Sequence, residues 1–126
     1  MIHGIGVDTV IVGRIRDAVK RHGARFAARI LMPEEILEWE RSPRPDGFLA
    51  RRFAAKEAFA KAVGTGIRGT VSFRRMRVIH DPLGRPSLWT DPPLTAYLQE
   101  RGIAHTHLSV SDETDHAVAF VILERA

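Results

Sequence analysis

The first half of the chain carries the spacing of helices more often than that of strands. Residues 2–8 form a short apolar run that predicts one strand. Apolar positions recur with helical spacing over residues 12–30, where Gly23 is expected to divide two helices or cap the first. A further helix is predicted over residues 33–40. Residues 48–63 should form the strongest helix, because they are rich in Ala and free of Gly and Pro.

The second half of the chain alternates apolar and polar positions as strands do. A turn at residues 81–84 should join two strands into a hairpin, and residues 91–101 should form one helix. The predicted strands are residues 71–80, 86–89, 105–111 and 117–123. Helices gathered early and strands gathered late indicate an α+β fold rather than a doubly wound α/β fold.

The composition of the chain narrows the class of protein. Its 126 residues, 44% of them hydrophobic, can fill one core, so a single domain over residues 1–126 is expected. The absence of cysteine excludes disulfides, thiol catalysis and Cys-based zinc sites. No run reaches the roughly eighteen apolar residues of a membrane span, and residues 1–13 lack the basic start of a secretory signal. We therefore expect a cytoplasmic protein that does not enter a membrane.

The charge is distributed unevenly along the chain. The total is +4, but residues 1–85 hold 17 basic and 9 acidic side chains, whereas residues 86–126 hold 2 and 6. Sixteen of the 19 basic residues are Arg, whose planar fork of donors suits phosphates and carboxylates. An acidic or phosphorylated partner is one interpretation, and an Arg-rich nucleic-acid-binding module without catalysis is another. A coding bias that replaces Lys with Arg would produce the same composition.

Some of these arginines share one side of the predicted helical stretch. If residues 12–30 formed one helix, four arginines would share one side of it, beside the apolar face: Arg14, Arg21, Arg25 and Arg29. A break at Gly23 would make that alignment approximate.

Two acidic positions and one lysine are candidates for chemistry. Asp8 follows an apolar strand that predicts burial, although an N-cap or Asx-turn role is the simpler interpretation of this residue alone. Glu57 and Lys61 lie one helical turn apart and would ordinarily form a solvated pair. Their helix is apolar or Ala nearly all round, however, and leads into Gly64-Thr65-Gly66, whose backbone amides could approach an anion. The order of Lys and glycines is not that of a Walker loop.

Histidines and serines in the late strands offer further alternatives. His105 and His107 share one face of a strand, and His116 could join them in a zinc site, but no HExxH pattern or fitting carboxylate accompanies them. A single His that binds phosphate, or a half-exposed strand His, is the simpler interpretation. Ser109 and Ser111 lack the Gly-x-Ser-x-Gly elbow of a nucleophile, which leaves them as polar strand residues.

Several motifs follow one another in an order that matches a known family. In chain order they are Gly4-Ile5-Gly6-Val7-Asp8, Arg14, residues 48–58, Lys61-Ala62-Val63-Gly64-Thr65-Gly66-Ile67, Gly84-Arg85-Pro86 and His107-Leu108-Ser109-Val110-Ser111. This set spans nearly the whole chain and resembles the holo-acyl-carrier-protein synthase group of 4′-phosphopantetheinyl transferases. The resemblance implies that family's fold, an antiparallel sheet with helices packed on one side.

The resemblance also implies an activity. The family transfers the 4′-phosphopantetheine group from coenzyme A to a serine of apo acyl carrier protein and releases adenosine 3′,5′-bisphosphate. Asp8 and Glu57 would hold one Mg²⁺. Lys61 would face the diphosphate or assist proton transfer, and His107 would lie beside the same diphosphate. The implied coenzyme A site consists of Arg52, Lys61, Gly64, Thr65, Gly66, Arg85, Pro86 and His107. The group that removes the serine proton stays open between Glu57 acting through water, Lys61 and a metal-activated water.

An assembly and a partner surface follow from the same resemblance. It implies a homotrimer with active sites between subunits, in which Asp8 comes from one chain and the coenzyme A pocket is shared with the next. Because acyl carrier proteins are acidic, the basic stripe becomes the expected docking surface. Arg14 matches a family position, whereas Arg21 and Arg25 are inferred from helical spacing. The competing hypotheses are the nucleic-acid-binding module, which no recognisable motif supports, and a non-catalytic subunit with the same fold.

Overall fold

The computed structural model describes all 126 residues and contains five strands and five helices. The strands are β1 (Ile2–Ile11), β2 (Met76–His80), β3 (Pro86–Thr90), β4 (Ile103–Asp112) and β5 (His116–Arg125). The helices are α1 (Val12–His22), α2 (Ala24–Ile30), α3 (Pro33–Arg41), α4 (Pro45–Val63) and α5 (Pro92–Glu100). The α+β class predicted from the sequence is confirmed.

The strands form two antiparallel sheets. The larger has the order β1-β5-β4, and β2 and β3 form a separate hairpin. In the larger sheet Gly6 pairs with Val121 and Asp8 with Ala119, and these residues lie on the side that packs against α4, which we call the inner face. The alternate positions point to the opposite side, the outer face, as the two-residue period of a strand requires. The helix-covered sheet matches the predicted fold.

Helix α4 is the central element of the core. Twelve of its 19 residues are buried, and no side of it forms a solvated face. A cluster of 26 buried hydrophobic side chains surrounds it and includes residues from α1, α2, α5 and all the strands but β3. Only three polar or charged residues are buried in the chain: Glu35, Arg52 and Lys56. None of the helices has both the length and the apolar composition that a membrane crossing requires.

Two glycines allow β1 to lie directly on the backbone of α4. A Cβ atom on Gly4 would stand 2.1 Å from the carbonyl oxygen of Ala62. A Cβ atom on Gly6 would stand 1.9 Å from the carbonyl oxygen of Ala58. Any residue larger than Gly would therefore push the strand away from the helix. This close contact sets the position of Asp8, two residues further along the same face of β1.

The starts of α4 and β2 differ from those predicted. Gly23, with a φ of 65°, separates α1 from α2 as expected, but α4 begins at Pro45 rather than at residue 48 because Pro is well accommodated in a first helical turn. The predicted strand over residues 71–75 is wrong. β3 ends at Thr90 opposite Met76, and the chain then enters α5, so residues 71–75 have no partner strand. They form an isolated bridge and a 3₁₀ turn (Phe73–Arg75) instead.

Candidate active site

Asp8, Glu57 and Lys61 meet where β1 crosses α4. The Lys61 ammonium donates to Asp8 Oδ1 over 3.0 Å and to the carbonyl oxygen of Val7 over 3.1 Å. The Asp8 side chain is 16% exposed, whereas that of Lys61 is 51% exposed. α1 has Ile11 as its N-cap residue and no side-chain cap, so Asp8 is not the cap of that helix. The simpler interpretation of Asp8 as a cap is therefore wrong.

The carboxyl group of Glu57 shares a partly buried space with that of Asp8. Burial raises the pKa of Glu57, the negative charge of Asp8 raises this pKa further, and Lys61 opposes the change. Two neighbouring carboxylates with one ammonium beside them favour the binding of a cation or of a cation with phosphate. The chain contains no cluster of three or more His, Asp or Glu residues with metal-binding geometry, so one chain does not bring His105, His107 and His116 together in such a cluster.

The Gly64–Gly66 segment ends α4, and its two glycine amides are paired within the helix end. Gly64 and Gly66 have φ values of 102° and 68°, which a residue with a Cβ rarely adopts. The backbone N–H groups of both glycines donate to the carbonyl oxygen of Ala60 over 3.2 Å. The predicted approach of an anion to these amides is therefore wrong for Gly64 and Gly66, because both N–H groups are already paired. The segment still lies beside Lys61, and Thr65 is exposed at its tip.

A second group of the predicted site residues surrounds the β2–β3 turn. The turn is shaped by Asp81, whose Oδ1 accepts from the backbone N–H groups of Leu83 and Arg85 over 2.9 Å. One cavity of about 130 Å³ lies between this turn and α4, lined by Arg51, Arg52, Val78, His80, Gly84, Pro86 and Val110. A second cavity of about 380 Å³ lies on the other side of Pro86, lined by Asp81, Arg85, Pro86, Ser87, Thr106, His107 and Leu108. The structure thus brings Arg52, Arg85, Pro86 and His107 to one region.

His107 and Asp8 lie on opposite faces of the larger sheet. His107 pairs with Ile122 on the outer face, where its Nε2 hydrogen-bonds the Glu124 carboxylate. This hydrogen bond lowers the pKa of Glu124. Asp8 pairs with Ala119 on the inner face. The predicted site residues therefore form two groups, and within one chain the sheet separates His107 from Asp8.

The three predicted docking arginines are exposed but belong to two helices. Arg14 and Arg21 lie on α1, whereas Arg25 lies on α2. The break at Gly23 removes the single-helix alignment. Arg25 instead contributes to a groove of about 530 Å³ between α2 and the segment after α4, lined by Arg25, Ala28, Arg29, Ile67, Ser72, Phe73 and Arg74. The groove is rich in arginine and has an apolar floor.

A buried ion pair next to the site was not predicted from the sequence. Lys56 and Glu35 are both 0% exposed, and Lys56 Nζ lies 2.6 Å from Glu35 Oε1. The available signal was a lysine on a helix that is otherwise apolar or Ala nearly all round, since such a side chain has no solvated face to point to.

Comparison with known proteins identifies the family. A model of the 4′-phosphopantetheinyl transferase superfamily matches residues 4–121. The holo-[acyl-carrier-protein] synthase of Neisseria meningitidis serogroup B (strain ATCC BAA-335 / MC58) is 54% identical over 125 residues, which cover 99% of this chain and 100% of that protein. The holo-[acyl-carrier-protein] synthase of Thiobacillus denitrificans is 50% identical, with 100% of this chain and 96% of that protein covered.

Solved structures agree with the sequence comparison. The crystal structure of the Neisseria meningitidis holo-[acyl-carrier-protein] synthase superposes with a TM-score of 0.97 at 54% identity, covering 99% of this chain and 100% of that one. The Bacillus anthracis synthase, solved in complex with CoA (3′,5′-ADP), has a TM-score of 0.84 at 38% identity, covering 100% and 99%. The Helicobacter pylori synthase, solved in complex with coenzyme A, has a TM-score of 0.84 at 30% identity, covering 95% and 99%.

Membership in an enzyme family favours the catalytic hypothesis over the nucleic-acid-binding module and the non-catalytic subunit. The motif order, the helix-covered sheet and the agreement with relatives over almost the whole chain all support the same assignment. The chain belongs to the holo-[acyl-carrier-protein] synthases of the 4′-phosphopantetheinyl transferase superfamily.

Proposed function

We propose that this chain transfers 4′-phosphopantetheine from coenzyme A to a serine of apo acyl carrier protein, with Mg²⁺ as cofactor. The second product is adenosine 3′,5′-bisphosphate, and the active species is a cytoplasmic homotrimer of single-domain subunits. The observation that carries the proposal is the Asp8–Glu57–Lys61 group at the crossing of β1 and α4. The relatives from Bacillus anthracis and Helicobacter pylori, solved with CoA (3′,5′-ADP) and coenzyme A, support the choice of donor.

The Asp8 and Glu57 carboxylates fit a Mg²⁺ ion. Mg²⁺ prefers oxygen ligands and is usually held by one or two carboxylates, with water and substrate phosphates completing its shell. Burial, followed by the negative charge of Asp8, raises the pKa of Glu57, and a bound cation would favour the charged form of both carboxylates. Held by Asp8 and Glu57, the ion would neutralise negative charge on the diphosphate and make the attacked phosphorus more electrophilic.

Lys61 supplies a second positive charge to the same place. Its side chain is half exposed, so the ammonium can exchange its contact with Asp8 for one with the diphosphate of coenzyme A. In the reaction the serine oxygen forms a bond to the pantetheine phosphorus, and the bond from that phosphorus to the bridging oxygen breaks. The negative charge that develops on the leaving phosphate is then stabilised by Lys61, and the serine proton passes to a base in the site.

The residues around the β2–β3 turn are proposed to bind the rest of coenzyme A. Arg52 and Arg85 bring positive charge to the two cavities beside Pro86, and phosphate groups are the natural ligands of such cations. Gly64, Thr65 and Gly66 would contribute through the shape of the segment and the Thr65 side chain rather than through the paired glycine amides. His107 would approach the diphosphate from the outer face of its own sheet.

The two-faced arrangement supports a trimer with shared sites. One chain alone keeps His107 and Asp8 on opposite faces of a sheet, so both reach one diphosphate only if they come from different subunits. The outer face also exposes apolar side chains, with Ile5 at 59%, Val7 at 52% and Phe120 at 40%. An apolar face of this kind is typical of a surface that another protein covers. We propose that neighbouring subunits cover it.

The exposed arginines of α1 and α2 are proposed to bind the acyl carrier protein. Arg14, Arg21 and Arg25 carry positive charge on the surface, and electrostatic complementarity with an acidic protein would steer its approach. The apolar floor of the neighbouring groove, formed by Ile67 and Phe73, would add non-polar contact. The acyl carrier protein would then bring its serine towards the end of α4 that holds Lys61.

The experiment that tests this function measures the mass of a carrier protein. Purified chain is incubated with Mg²⁺, coenzyme A and apo acyl carrier protein, and the carrier is weighed intact by mass spectrometry. We expect an increase of one phosphopantetheine group per carrier and release of adenosine 3′,5′-bisphosphate. An unchanged mass in several apo carriers, from a chain shown to be folded, would reject the proposed transfer.

A further inference from the structure

Glu35 and Lys56 form an ion pair that is fully enclosed by the protein. Besides the 2.6 Å contact with Glu35 Oε1, Lys56 Nζ donates to the carbonyl oxygens of Ile30 over 2.6 Å and Phe73 over 3.0 Å. All three donors of the ammonium are therefore used. Burial of two charges is expensive, and such a pair is often no more stabilising than apolar residues of similar size. Stability alone thus gives a weak reason for this pair.

The second oxygen of Glu35 connects the pair to Arg52. Glu35 Oε2 accepts from the backbone N–H of Val78 over 3.1 Å and lies 3.4 Å from Nε of Arg52. The carboxylate therefore touches α4 at two positions one turn apart, Arg52 and Lys56, and it also touches β2. Because each of its oxygens has partners, Glu35 has a single well-defined orientation against Arg52.

Arg52 is buried, yet its guanidinium has unpaired hydrogen-bond donors. Its side chain is 6% exposed, and its Nε makes no hydrogen bond despite the nearby Glu35 carboxylate. The closest contact of Nη2 with a carboxylate is 3.7 Å, to Glu38 on the surface, and the guanidinium stacks on the ring of Phe48 at 4.2 Å. Buried polar groups of this kind are normally hydrogen-bonded, and each exception requires a reason.

The reason lies in the cavity that Arg52 lines. This cavity of about 130 Å³ is bounded by Arg52, Arg51 and His80 on one side and by Gly84 and Pro86 on the other. Its lining contains two arginines and no carboxylate, and burial, followed by the positive charge of Arg52, lowers the pKa of His80. A phosphate group entering the cavity would provide the acceptors that Arg52 lacks.

We propose that Glu35 and Lys56 are positioning residues, which hold Arg52 against the cavity so that its unpaired donors bind a phosphate group of coenzyme A. The inference rests on the proposed function, since it assumes coenzyme A as substrate. Without the Glu35 charge, Arg52 would sit beside the buried ammonium of Lys56 with only repulsion between them. The guanidinium would then turn towards Glu38 at the surface and away from the cavity.

The first test removes the charge of Glu35 and measures substrate binding. In Glu35→Gln we expect the Kd for coenzyme A, measured by isothermal titration calorimetry, to rise about tenfold, and KM for coenzyme A to rise with it. The KM for the acyl carrier protein should stay within about twofold of wild type. Glu34→Gln is the matched control, because Glu34 is the preceding residue and pairs with Arg77 rather than Arg52; its Kd should equal that of wild type.

A second variant separates positioning from folding. Glu35→Gln leaves Lys56 without a counter-charge and can destabilise the chain, whereas Glu35→Gln/Lys56→Met removes both charges at similar volume. We expect this double variant to fold, as judged by circular dichroism and urea denaturation, and still to bind coenzyme A about tenfold more weakly. Adding Arg52→Gln to it should weaken binding by less than a further twofold, because the mutations remove one shared interaction.

The outcomes distinguish this inference from the proposed function. A folded double variant with wild-type Kd for coenzyme A would overturn the positioning role while leaving the transferase intact. The positioning role would also be overturned if Arg52→Gln raised the Kd for coenzyme A by the same factor in the double variant as in wild type. Arg52 would then act independently of the Glu35–Lys56 pair. Failure of wild-type protein to bind coenzyme A would instead reject the proposed function. Dephospho-coenzyme A, tested in parallel, identifies the phosphate: if it binds wild type and double variant equally, Arg52 contacts the 3′-phosphate, and if the tenfold difference persists, Arg52 contacts the diphosphate.

Discussion

A Cβ atom on Gly6 would lie 1.9 Å from the carbonyl oxygen of Ala58, so β1 and α4 touch through their backbones at this point. The contact brings the next inward-facing side chain of the strand, Asp8, beside Glu57 and Lys61 of the helix. Gly4 and Gly6 therefore shape the site although neither residue has a side chain that could enter it. The geometry of three functional groups depends on a strand that has no room for a methyl group.

Gly6→Ala tests this contact. Overpacking typically lowers the free energy of unfolding by about 1–3 kcal/mol, and a clash with backbone should place this variant at about 2 kcal/mol or more. Because β1 must move, transferase activity should fall by more than the loss of folded protein explains. Gly13→Ala is the control: a Cβ there meets no atom within 4 Å, so urea denaturation should show stability unchanged or raised by up to about 1 kcal/mol. Wild-type stability and activity in Gly6→Ala would contradict the proposed packing role.

Glu57→Gln and Asp8→Asn test the proposed metal site. Each variant removes one of two carboxylate ligands, so Mg²⁺ should bind at least about tenfold more weakly. Turnover should be nearly lost, because one remaining carboxylate does not fix the position of the ion. The free energy of unfolding should stay within about 0.5 kcal/mol of the wild-type value, because the substitutions relieve repulsion between neighbouring carboxylates. Calorimetric titration of Mg²⁺ in the presence of coenzyme A provides the measurement. Glu100→Gln, at an exposed position on α5, is the control, and equal Mg²⁺ affinity in all the variants would remove Asp8 and Glu57 from the site.

Arg14→Glu tests the docking surface. Reversing this exposed charge should raise KM for the acyl carrier protein about tenfold or more, a change of about 1.4 kcal/mol. The Kd for coenzyme A should not change, because Arg14 lines neither of the cavities beside Pro86. Lys20→Glu reverses a charge on a different side of the same helix and should alter KM for the carrier protein much less. If Lys20→Glu has the larger effect, the docking surface lies elsewhere on α1.

Phe120→Glu tests the proposed covering of the outer sheet face. A charge at position 120, beside the apolar side chains of Ile5 and Val7, should prevent subunits from packing on this face. We expect light scattering after size exclusion to give a trimer for wild type and a monomer for the variant, with loss of activity because His107 and Asp8 no longer meet. Leu37→Glu is the control, since Leu37 is a similarly exposed apolar residue, at 55%, on α3. A trimer in both variants would exclude this face as the interface.

Lys56 gives the folded state a pH dependence of known sign. Burial lowers the pKa of Lys56 from 10.5 to about 8, opposed by Glu35 and assisted by Arg52 and Arg74. The folded chain therefore binds fewer protons than the unfolded chain between about pH 8 and 10.5, and stability rises with pH across that window. Relative to Lys56→Met, the free energy of unfolding of wild type should increase by at most about 1.4 kcal/mol per pH unit there. If the free energies of unfolding of wild type and Lys56→Met differed by the same amount at every pH from 8 to 10, the lowered pKa of Lys56 would be contradicted.

Much of this architecture can be predicted from the sequence because local patterns determine it. The apolar spacing indicated the helices and most strands, and the order of motifs identified the family. The strand predicted over residues 71–75 was wrong because alternation does not reveal whether a partner strand exists. The free amides predicted at Gly64 and Gly66 were wrong because the N–H groups at a helix end can donate to carbonyl oxygens of the last turn. Here both donate to the carbonyl oxygen of Ala60.

The arrangement of the site depends on long-range packing, which the sequence does not display. Nothing in the alternation of β4 indicated that His107 and Asp8 would lie on opposite faces of one sheet. The Glu35–Lys56 pair joins residues 21 positions apart through the fold, and its only sequence signal was a lysine on an apolar helix. A spacing rule detects neighbours on one element, whereas these relationships join different elements.

The central claim is that this chain moves phosphopantetheine from coenzyme A to a carrier protein with the help of Asp8 and Glu57. The most direct measurement is the intact mass of apo acyl carrier protein after incubation with coenzyme A and either wild type or Glu57→Gln, with Mg²⁺ or with a chelator. The account predicts the added mass of one phosphopantetheine with wild type and Mg²⁺, and an unchanged carrier in the other three reactions. An unmodified carrier in the wild-type reaction, or full modification by Glu57→Gln, would contradict it.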